Sequence, residues 1–556
     1  MTTVSPKSTT TTTSASPAGV TGLDSAVFHF DHPHDLPHED LVALLGGKGA
    51  GLAEMSTGLG INVPPGFTVS VPVCRAYLEH GRPAGLTETL ARFVGELGER
   101  MGRNLGDPAD PLLVAVRSGA PVSMPGMLDT VLNLGLNDET VEGLAAVSGS
   151  ADFAWDSYRR FVTMYAVTVM GVDGGELAAA AVQNGGGIEE HVRDLKRAVE
   201  QLAGRPVPTD PFEQLTEAVE AVFKSWHSPR AQTYRERENI DPALGTAVTV
   251  QAMVFGNRGE LSGTGVVFTR NPSTGADELY GDYLPMAQGE DVVAGTAKTL
   301  CISKLAELHP EIYAELRETL RRLEIRFRDM CDVEFTIEEG RLWLLQTRPG
   351  KRGAAAAVRI AAALAQDPEI SLTPAEIAER VPEGLRERAR AEALAHVADE
   401  TGMPPVVTKA LGASPGRAVG RAVLTTDAAA EAEDDVILVR PETSPEDVAG
   451  MAASVGLLTT NGGLVSHAAV VARGWGIPAV VGAHDLRFDS HGLISTDGTR
   501  IRAGDLITID GSTGCVWLGA VTPPPADVVN RAVEHDLPEL LLIERLLEEH
   551  AKNGEN

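Results

Sequence analysis

The residue with the clearest chemical setting is His467, in the run LTTNGGLVSHAAVVARGWGIPAVVG from Leu458 to Gly482. Gly462 and Gly463 read as a tight turn, Ser466 and His467 open an Ala/Val-rich helical run, and Gly474, Gly476 and Pro478 end it. That pattern places an imidazole at a helix N-terminus, where free backbone N–H groups and the positive end of the helix dipole favour an anion such as a phosphoryl group. A neutral imidazole there is a competent nucleophile. A polar residue at the start of an ordinary helix is the plainer reading, and the pattern alone leaves both open.

Three other stretches bring charges or oxygens to turns and strand ends. LLGGKGAGLAEMSTGLGINVPPGFTVS, from Leu44, has a Gly-rich turn around Lys48 and then a short amphipathic helix. Glycines admit phosphate oxygens to backbone N–H groups, and a Lys there adds charge, although the GxxxxGK[ST] spacing of a Walker loop is absent. In LLVAVRSGAPVSMPGMLDTVLNLGLND, from Leu112 to Asp138, an apolar strand delivers Arg117 to a Ser-Gly turn. Its guanidinium suits either phosphate oxygens or a surface ion pair. CDVEFTIEEGRLWLLQTRPGKR, from Cys331, reads as two strands joined by a Glu-Glu-Gly turn. Residues two apart on a strand face the same way, so Asp332 projects with Glu334, and Gln346 with Arg348. A carboxylate and an amide oxygen suit Mg²⁺, while cross-strand Asp–Arg pairing is the structural alternative.

Other elements must hold these groups in place. Between about Asp152 and Asn239 the apolar spacing is helical, with Tyr158, Phe161 and Tyr165 as core residues. From Thr246, TAVTVQAMVFGNRGELSGTGVVFTRNPSTG alternates like antiparallel strands and hairpins, with Gln251 on a strand and Thr264 and Gly265 in a turn able to cover phosphates. Ala354 to about Ala398 reads as linking helices, and GMPPVV marks a boundary. A Gly- and Val-rich α/β segment then runs through His467 to GDLITIDGSTGCVWLG, followed by TPPPADVV and a charged amphipathic helix.

The chain has 556 residues, which is too long for one core and suggests about three or four domains. A formal charge of −30 disfavours nucleic acid and anionic membranes as partners, since both need basic patches, and a nucleotide would need a local exception to that field. Cys74, Cys301, Cys331 and Cys515 form no CxxC pair, as expected of free thiols in a reducing compartment. With neither a leader pattern nor an apolar run of roughly 18 residues, a cytoplasmic protein is expected. The Ser/Thr-rich first 20 residues bury too little to order, and His29, His32, His34 and His38 match no metal spacing.

GGLVSHAAVVARGWGIPAVVG, VRSGAxxSMPGMLDT and AQGEDVVAG, in that family's order along the chain, resemble the pyruvate phosphate dikinase family over roughly residues 25 to 521. The resemblance implies an α+β and α/β multidomain chain, with ATP-grasp nucleotide-binding lobes followed by a swivelling phosphohistidine domain. The expected divisions are a disordered tail at 1–20, nucleotide-binding lobes at 21–350 with helices at 150–240, a helical linker at 351–404, the phosphohistidine domain at 405–521 and a helical tail at 522–556. It implies that ATP and inorganic phosphate phosphorylate His467 through a pyrophosphoryl intermediate. It also implies that Lys48, Arg117, Gln251, Thr264, Gly265, Glu290, Asp332 and Arg348 line the nucleotide and phosphate site, with Lys48, Arg117 and Arg348 assisting catalysis and Glu334 and Gln346 holding Mg²⁺. The family's phosphoenolpyruvate/pyruvate barrel is not in this sequence, so pyruvate is expected to be served by a separate barrel protein, with the C-terminal helix as its docking element. A non-pyruvate acceptor and a non-catalytic ATP-binding scaffold are the alternative readings. Val465 and Asn461 stand where the family usually has Thr and Arg.

Overall fold

The computed structural model describes residues 23–124, 127–181, 187–293, 299–395, 406–489, 492–521, 533 and 535–554. The expected tail over residues 1–20, most of the GMPPVV boundary and the TPPPADVV run lie outside the described residues.

Two five-stranded antiparallel sheets make up the first part of the molecule. The first contains β1 (Val27–His29), β2 (Gly66–Val69), β3 (Val114–Gly119), β4 (Thr130–Leu134) and β5 (Ala247–Ala252), in the order β1-β2-β5-β3-β4. Alternation along these strands sends Phe67, Val69, Val114, Val116, Val248 and Val250 into one apolar core with the helices of the 150–240 region. Among these helices α2 (Ala151–Thr168), capped by the Ser150 hydroxyl, contributes Tyr158, Phe161 and Tyr165, all buried as expected. Helix α3 (Pro229–Glu238) closes the region.

The second sheet contains β6 (Gly263–Phe268), β7 (Tyr280–Pro285), β8 (Leu300–Cys301), β9 (Cys331–Glu338) and β10 (Arg341–Pro349), in the order β8-β7-β6-β9-β10. Strands β9 and β10 form the expected hairpin. Glu339 and Gly340 turn it with φ of 48° and 83°, the paired positive values that match the twist of the flanking strands.

Two local expectations are corrected here. The stretch from Thr246 to Arg270 is no hairpin, because β5 pairs with β2 and β3 while β6 pairs with β7 and β9 in the other sheet. Thr264 and Gly265 accordingly sit inside β6 and not in a turn. The Thr264 hydroxyl donates to the Phe335 carbonyl at 3.0 Å, and a Cβ on Gly265 would meet the Phe335 ring at 2.6 Å. Long-range pairing with β9 outweighed the turn signal of the glycines.

Between the sheets runs α1 (His38–Ala53). The expected Gly-rich turn is a single kink at Gly46, with φ of 69°, and Lys48 lies within the helical stretch that follows. A Cβ on Gly46 would fall 1.6 Å from the Gly119 carbonyl oxygen of the first sheet. Five residues on, a Cβ at Gly51 would lie 3.1 Å from the Thr347 carbonyl oxygen of the second. Leu52 and Met55 then join Val333, Phe335, Leu342 and Leu344 in a core on one face of that second sheet.

Residues 406–521 build an eight-stranded mixed sheet from β11 (Val406–Lys409), β12 (Leu411–Ser414), β13 (Arg417–Val423), β14 (Val436–Arg440), β15 (Gly456–Thr459), β16 (Ala479–Val481), β20 (Leu506–Asp510) and β21 (Cys515–Leu518). Strands β17 (Leu486–Asp489), β18 (Gly492–Ser495) and β19 (Arg500–Arg502) form a small separate sheet. Its own apolar clusters, centred on Leu438, Leu457 and Val481 and on Ile437, Leu458 and Ile509, give this C-terminal unit an independent core. The terminal helix (Pro538–Gly554) turns Leu540 and Ile543 onto Val358, Ile377 and Val381 of the preceding helices.

Gly46→Ala should cost about 3 kcal/mol or more, because a positive φ and a carbonyl collision act together. Urea unfolding of wild type and variant checks this; an unchanged midpoint would refute the close approach.

Candidate functional site

The register of β9 and β10 sets Asp332 opposite Arg348 and Glu334 opposite Gln346. Extended across the sheet, Asp332 is also opposite Phe268, while Glu334, Val266 and Asp282 follow one another on neighbouring strands. Residues opposite one another share a face, so all these side chains project from the same side. Arg348 Nε donates to Asp332 Oδ2 at 2.8 Å, which makes the cross-strand pair real. Asp332 Oδ1 and Gln346 Oε1 remain buried without hydrogen-bond partners.

Arg117 reaches this face from the first sheet, donating to Glu334 Oε2 at 2.5 Å. Lys48 comes from α1. Burial would raise the Glu334 carboxyl, but Arg117, Lys48 and Arg348 together hold it at about 2. Burial, reinforced by Arg117 and Arg348 against Glu334, pushes Lys48 down to about 7. Lys48, Arg117 and Arg348 thus face two carboxylates, Asp332 and Glu334, and an anion bound beside them would favour the protonated form of Lys48 in an otherwise acidic chain.

Not every predicted residue joins this cluster in the same way. Gln251 is buried in β5, where its amide donates to the Pro64 carbonyl at 3.2 Å, a structural contact. Thr264 and Gly265 are within the sheet, as described above. Glu290, on the short helix α4 (Gly289–Val293), is held by Arg160 at 2.7 Å, and Arg160 also binds Asp291 and Asp156. Glu290 Oε2 is buried and unpaired, and burial raises its carboxyl. Among the described residues no three His, Cys, Asp or Glu side chains gather as a metal cluster. His29 and His38 instead pair with Glu96 and Glu54.

His467 is the first residue of the helix His467–Trp475, with Ser466 as its N-cap. His467 is 9% exposed, and Nδ1 lies 3.1 Å from Thr443 Oγ1. With Nδ1–H donating to that oxygen, Nε2 presents its lone pair, and Nε2 has no partner. Burial, which outweighs the nearby Asp447 and Glu446 carboxylates, lowers the imidazole to about 4. It is neutral at pH 7, as a nucleophile requires.

The C-terminal unit lies over the face that carries Asp332, Glu334, Gln346 and Arg348. Val465 packs in the cluster of Val266 and Phe268, and Arg473 stacks on Phe268 with its guanidinium carbon 5.4 Å from the ring centre. Asp282 lies against Gly463, and Arg230 of α3 joins Asp129 to Glu446. Arg237 and Tyr234 of the same helix meet Trp475. Thr443, Arg160, Arg230, Asp282 and Arg473 were absent from the sequence-based site. A polar TSPED run near the His segment was the one signal for Thr443; the others act across 100 or more residues or between units, where one-chain spacing carries no information.

Folded His467 titrates near 4 and its ordinary value is 6.5, so in that interval the unfolded chain binds a proton that the folded chain does not. Stability should therefore fall as the pH drops from 6.5 towards 4, by on the order of 3 kcal/mol for this group. His467→Asn should lack that component. Comparing unfolding midpoints of the two proteins at pH 7 and 5 checks it, and identical pH slopes would refute a buried neutral imidazole.

Residues 42–97, 82–302 and 302–367 match the family described as pyruvate phosphate dikinase, AMP/ATP-binding domain, and residues 432–514 match the PEP-utilising enzyme mobile domain. The chain is 47% identical over 510 residues to a pyruvate, phosphate dikinase of Rhizobium meliloti, covering 86% of this chain and 56% of that protein. It is 46% identical over 531 residues to the chloroplastic pyruvate, phosphate dikinase of Flaveria pringlei, covering 91% and 54%. Identity to pyruvate, phosphate dikinase 2 of Zea mays is 45% over 531 residues, covering 90% and 58%. The chain spans a little more than half the length of these relatives.

Proposed function

Because the chain belongs to the pyruvate phosphate dikinase family, we propose that it is a phosphotransferase that phosphorylates His467 at the expense of ATP and inorganic phosphate. The observation that carries this reading is the placement of the His467 unit over the sheet face where Arg117, Arg348 and Lys48 surround Glu334. In the proposed sequence, His467 Nε2 attacks the β-phosphorus of ATP and displaces AMP, giving a pyrophosphoryl imidazole. Inorganic phosphate then takes the terminal phosphoryl group, leaving as pyrophosphate, and the phosphoryl group on His467 remains.

Each residue has a part in this reading. Lys48, Arg117 and Arg348 bind the polyphosphate and neutralise charge as it moves from the bridging to the leaving oxygens, which is where most catalysis of phosphoryl transfer resides. Asp332 orients Arg348 through their 2.8 Å hydrogen bond. Glu290 is a nucleotide contact presented by the Arg160 network. Thr443 holds Nδ1 so that Nε2 is the attacking atom.

The donor set fits Mg²⁺. Gln346 Oε1 is a buried oxygen without a partner, Glu334 stands opposite it in register, and the two supply the few hard ligands that Mg²⁺ takes when triphosphate completes its shell. When bound, the ion supplies charge neutralisation to the phosphates. Onward transfer to pyruvate, giving phosphoenolpyruvate, is the acceptor step of this reading, at a site beyond the three large sheets described.

ATP labelled at the β-phosphate, with Mg²⁺ and inorganic phosphate, should leave label on the wild type and none on His467→Asn, with phosphate-dependent release of AMP and pyrophosphate. Absence of label under every condition would reject the reading in favour of an ATP-binding protein without turnover. Arg117→Ala should lower the labelling rate by about 100-fold or more while the protein stays folded, as removal of a charge-stabilising donor does elsewhere. Rapid-quench labelling beside a thermal melt separates the two effects, and an unchanged rate would remove Arg117 from the site.

A further inference from the structure

The first turn of the His467 helix holds hydrogen-bonding groups that the described chain leaves unused. A serine at an N-cap ordinarily accepts from an amide two or three residues on. Ser466 has the extended backbone of a cap, with φ of −60° and ψ of 161°, yet its side chain caps no amide. The residue is 6% exposed and its Oγ has no hydrogen-bond partner. Beside it is Gly462, where a Cβ would lie 3.1 Å from that Oγ.

The first bond of the helix runs from the Val470 amide to the Ser466 carbonyl at 3.0 Å. The amides of His467, Ala468 and Ala469 precede it and have no intrahelical acceptor. His467 Nε2, one residue from Ser466, is likewise buried and unpaired, while Nδ1 is occupied by Thr443. Nearby acids are engaged elsewhere: Asp447 accepts from the Ser444 amide and hydroxyl and pairs with Arg440, and Glu446 pairs with Arg230. Val465, on the other side of Ser466, is apolar and packed.

A hydroxyl, the first-turn amides and the imidazole Nε2 therefore lie within one turn, in a buried setting. A doubly charged group on Nε2 requires donors there, because an unpaired buried charge is costly. Resting on the proposed function, we infer that Ser466 is a phosphoryl-binding residue, its Oγ–H donating to an oxygen of the phosphoryl group on His467 Nε2 beside the first-turn amides. No bond to Ser466 is made or broken. Its hydroxyl stabilises the phosphorylated chain relative to the unphosphorylated one.

That difference is what the experiment reads. With ATP, inorganic phosphate, AMP and pyrophosphate at fixed concentrations, the ratio of phosphorylated to free protein is measured for wild type, Ser466→Ala and Ser466→Thr, together with thermal melts and binding of a non-hydrolysable ATP analogue. Ser466→Ala should lower the ratio about tenfold, the size of one charge-assisted hydrogen bond, with analogue binding unchanged. Ser466→Thr, which keeps the hydroxyl, should restore it. A purely helix-capping role would lower the melting temperature of both phosphorylation states and leave the ratio alone. Should Ser466→Ala not fold, Ser466→Cys, similar in size with a weak S–H donor, carries the same expectation. A wild type that labels while the ratio in the folded variant is unchanged overturns the inference alone. A wild type that takes no label removes the reading beneath it as well.

Discussion

One ion pair bridges the two sheets that carry the candidate site. Arg117 belongs to the first sheet and Glu334 to the second, 217 positions apart, and their 2.5 Å contact joins the two across the candidate site. A half-buried carboxylate is tolerable only with compensation, which Lys48 and Arg348 add. The helix that brings Lys48 can enter the gap only because Gly46 and Gly51 let its backbone touch both sheets. Removing one cation would leave Glu334 under-compensated; removing Glu334 would leave Lys48 and Arg117 without the carboxylate between them, while Arg348 keeps Asp332. A strongly negative guest would add to the charge that these two carboxylates already set against the cations.

The same balance explains why a chain with a net charge of −30 can hold a local excess of cations. Acidic residues elsewhere are mostly spent on solvent or on surface pairs, such as those of Arg321 with Asp367 and Glu369. Around Glu334 the field is confined by the apolar cores behind the sheet, centred on Val333 and Phe335. Confinement matters because a charge in a partly dry cleft acts over longer distances than one in water.

Sequence made the local pieces legible. The β9/β10 hairpin, its Glu-Gly turn, the face shared by Asp332 and Glu334, and the start of the His467 helix all depend on residues within one or two turns of chain, where periodicity and turn chemistry act directly. What escaped depends on pairings between distant segments. The glycines of GELSGTG read as a hairpin, yet β6 joins β9, some seventy residues later, because Gly265 is needed beneath the Phe335 ring. The Gly-rich segment at Lys48 read as a turn before a short helix, yet its glycines lie within α1 and serve close helix packing. Gln251 had the right strand but a structural partner in Pro64. Thr443 and Arg473 became visible only when the C-terminal sheet brought their segments to His467 and to Phe268.

The covering of the Asp332–Arg348 face by the C-terminal unit bears on the proposed reaction. His467 is 9% exposed and its Nε2 is buried, so a molecule that reaches Nε2 must displace what covers it. The contact between that unit and the rest of the chain is unlike a core. It rests on a few anchors, Val448, Val465 and Trp475, and on polar links such as Arg230 with Glu446, whose carboxylate side is largely in water. The C-terminal sheet keeps its own apolar clusters, so separation would expose these anchors without dismantling the unit. Arg473 adds a reason to part. It is buried on Phe268 with carbonyl partners at Ala413 and Leu464, and Asp282 and Asp332 are close enough to act on its charge. A guanidinium so placed favours the joined arrangement most when negative charge occupies the neighbouring face, and favours it less once that charge has left.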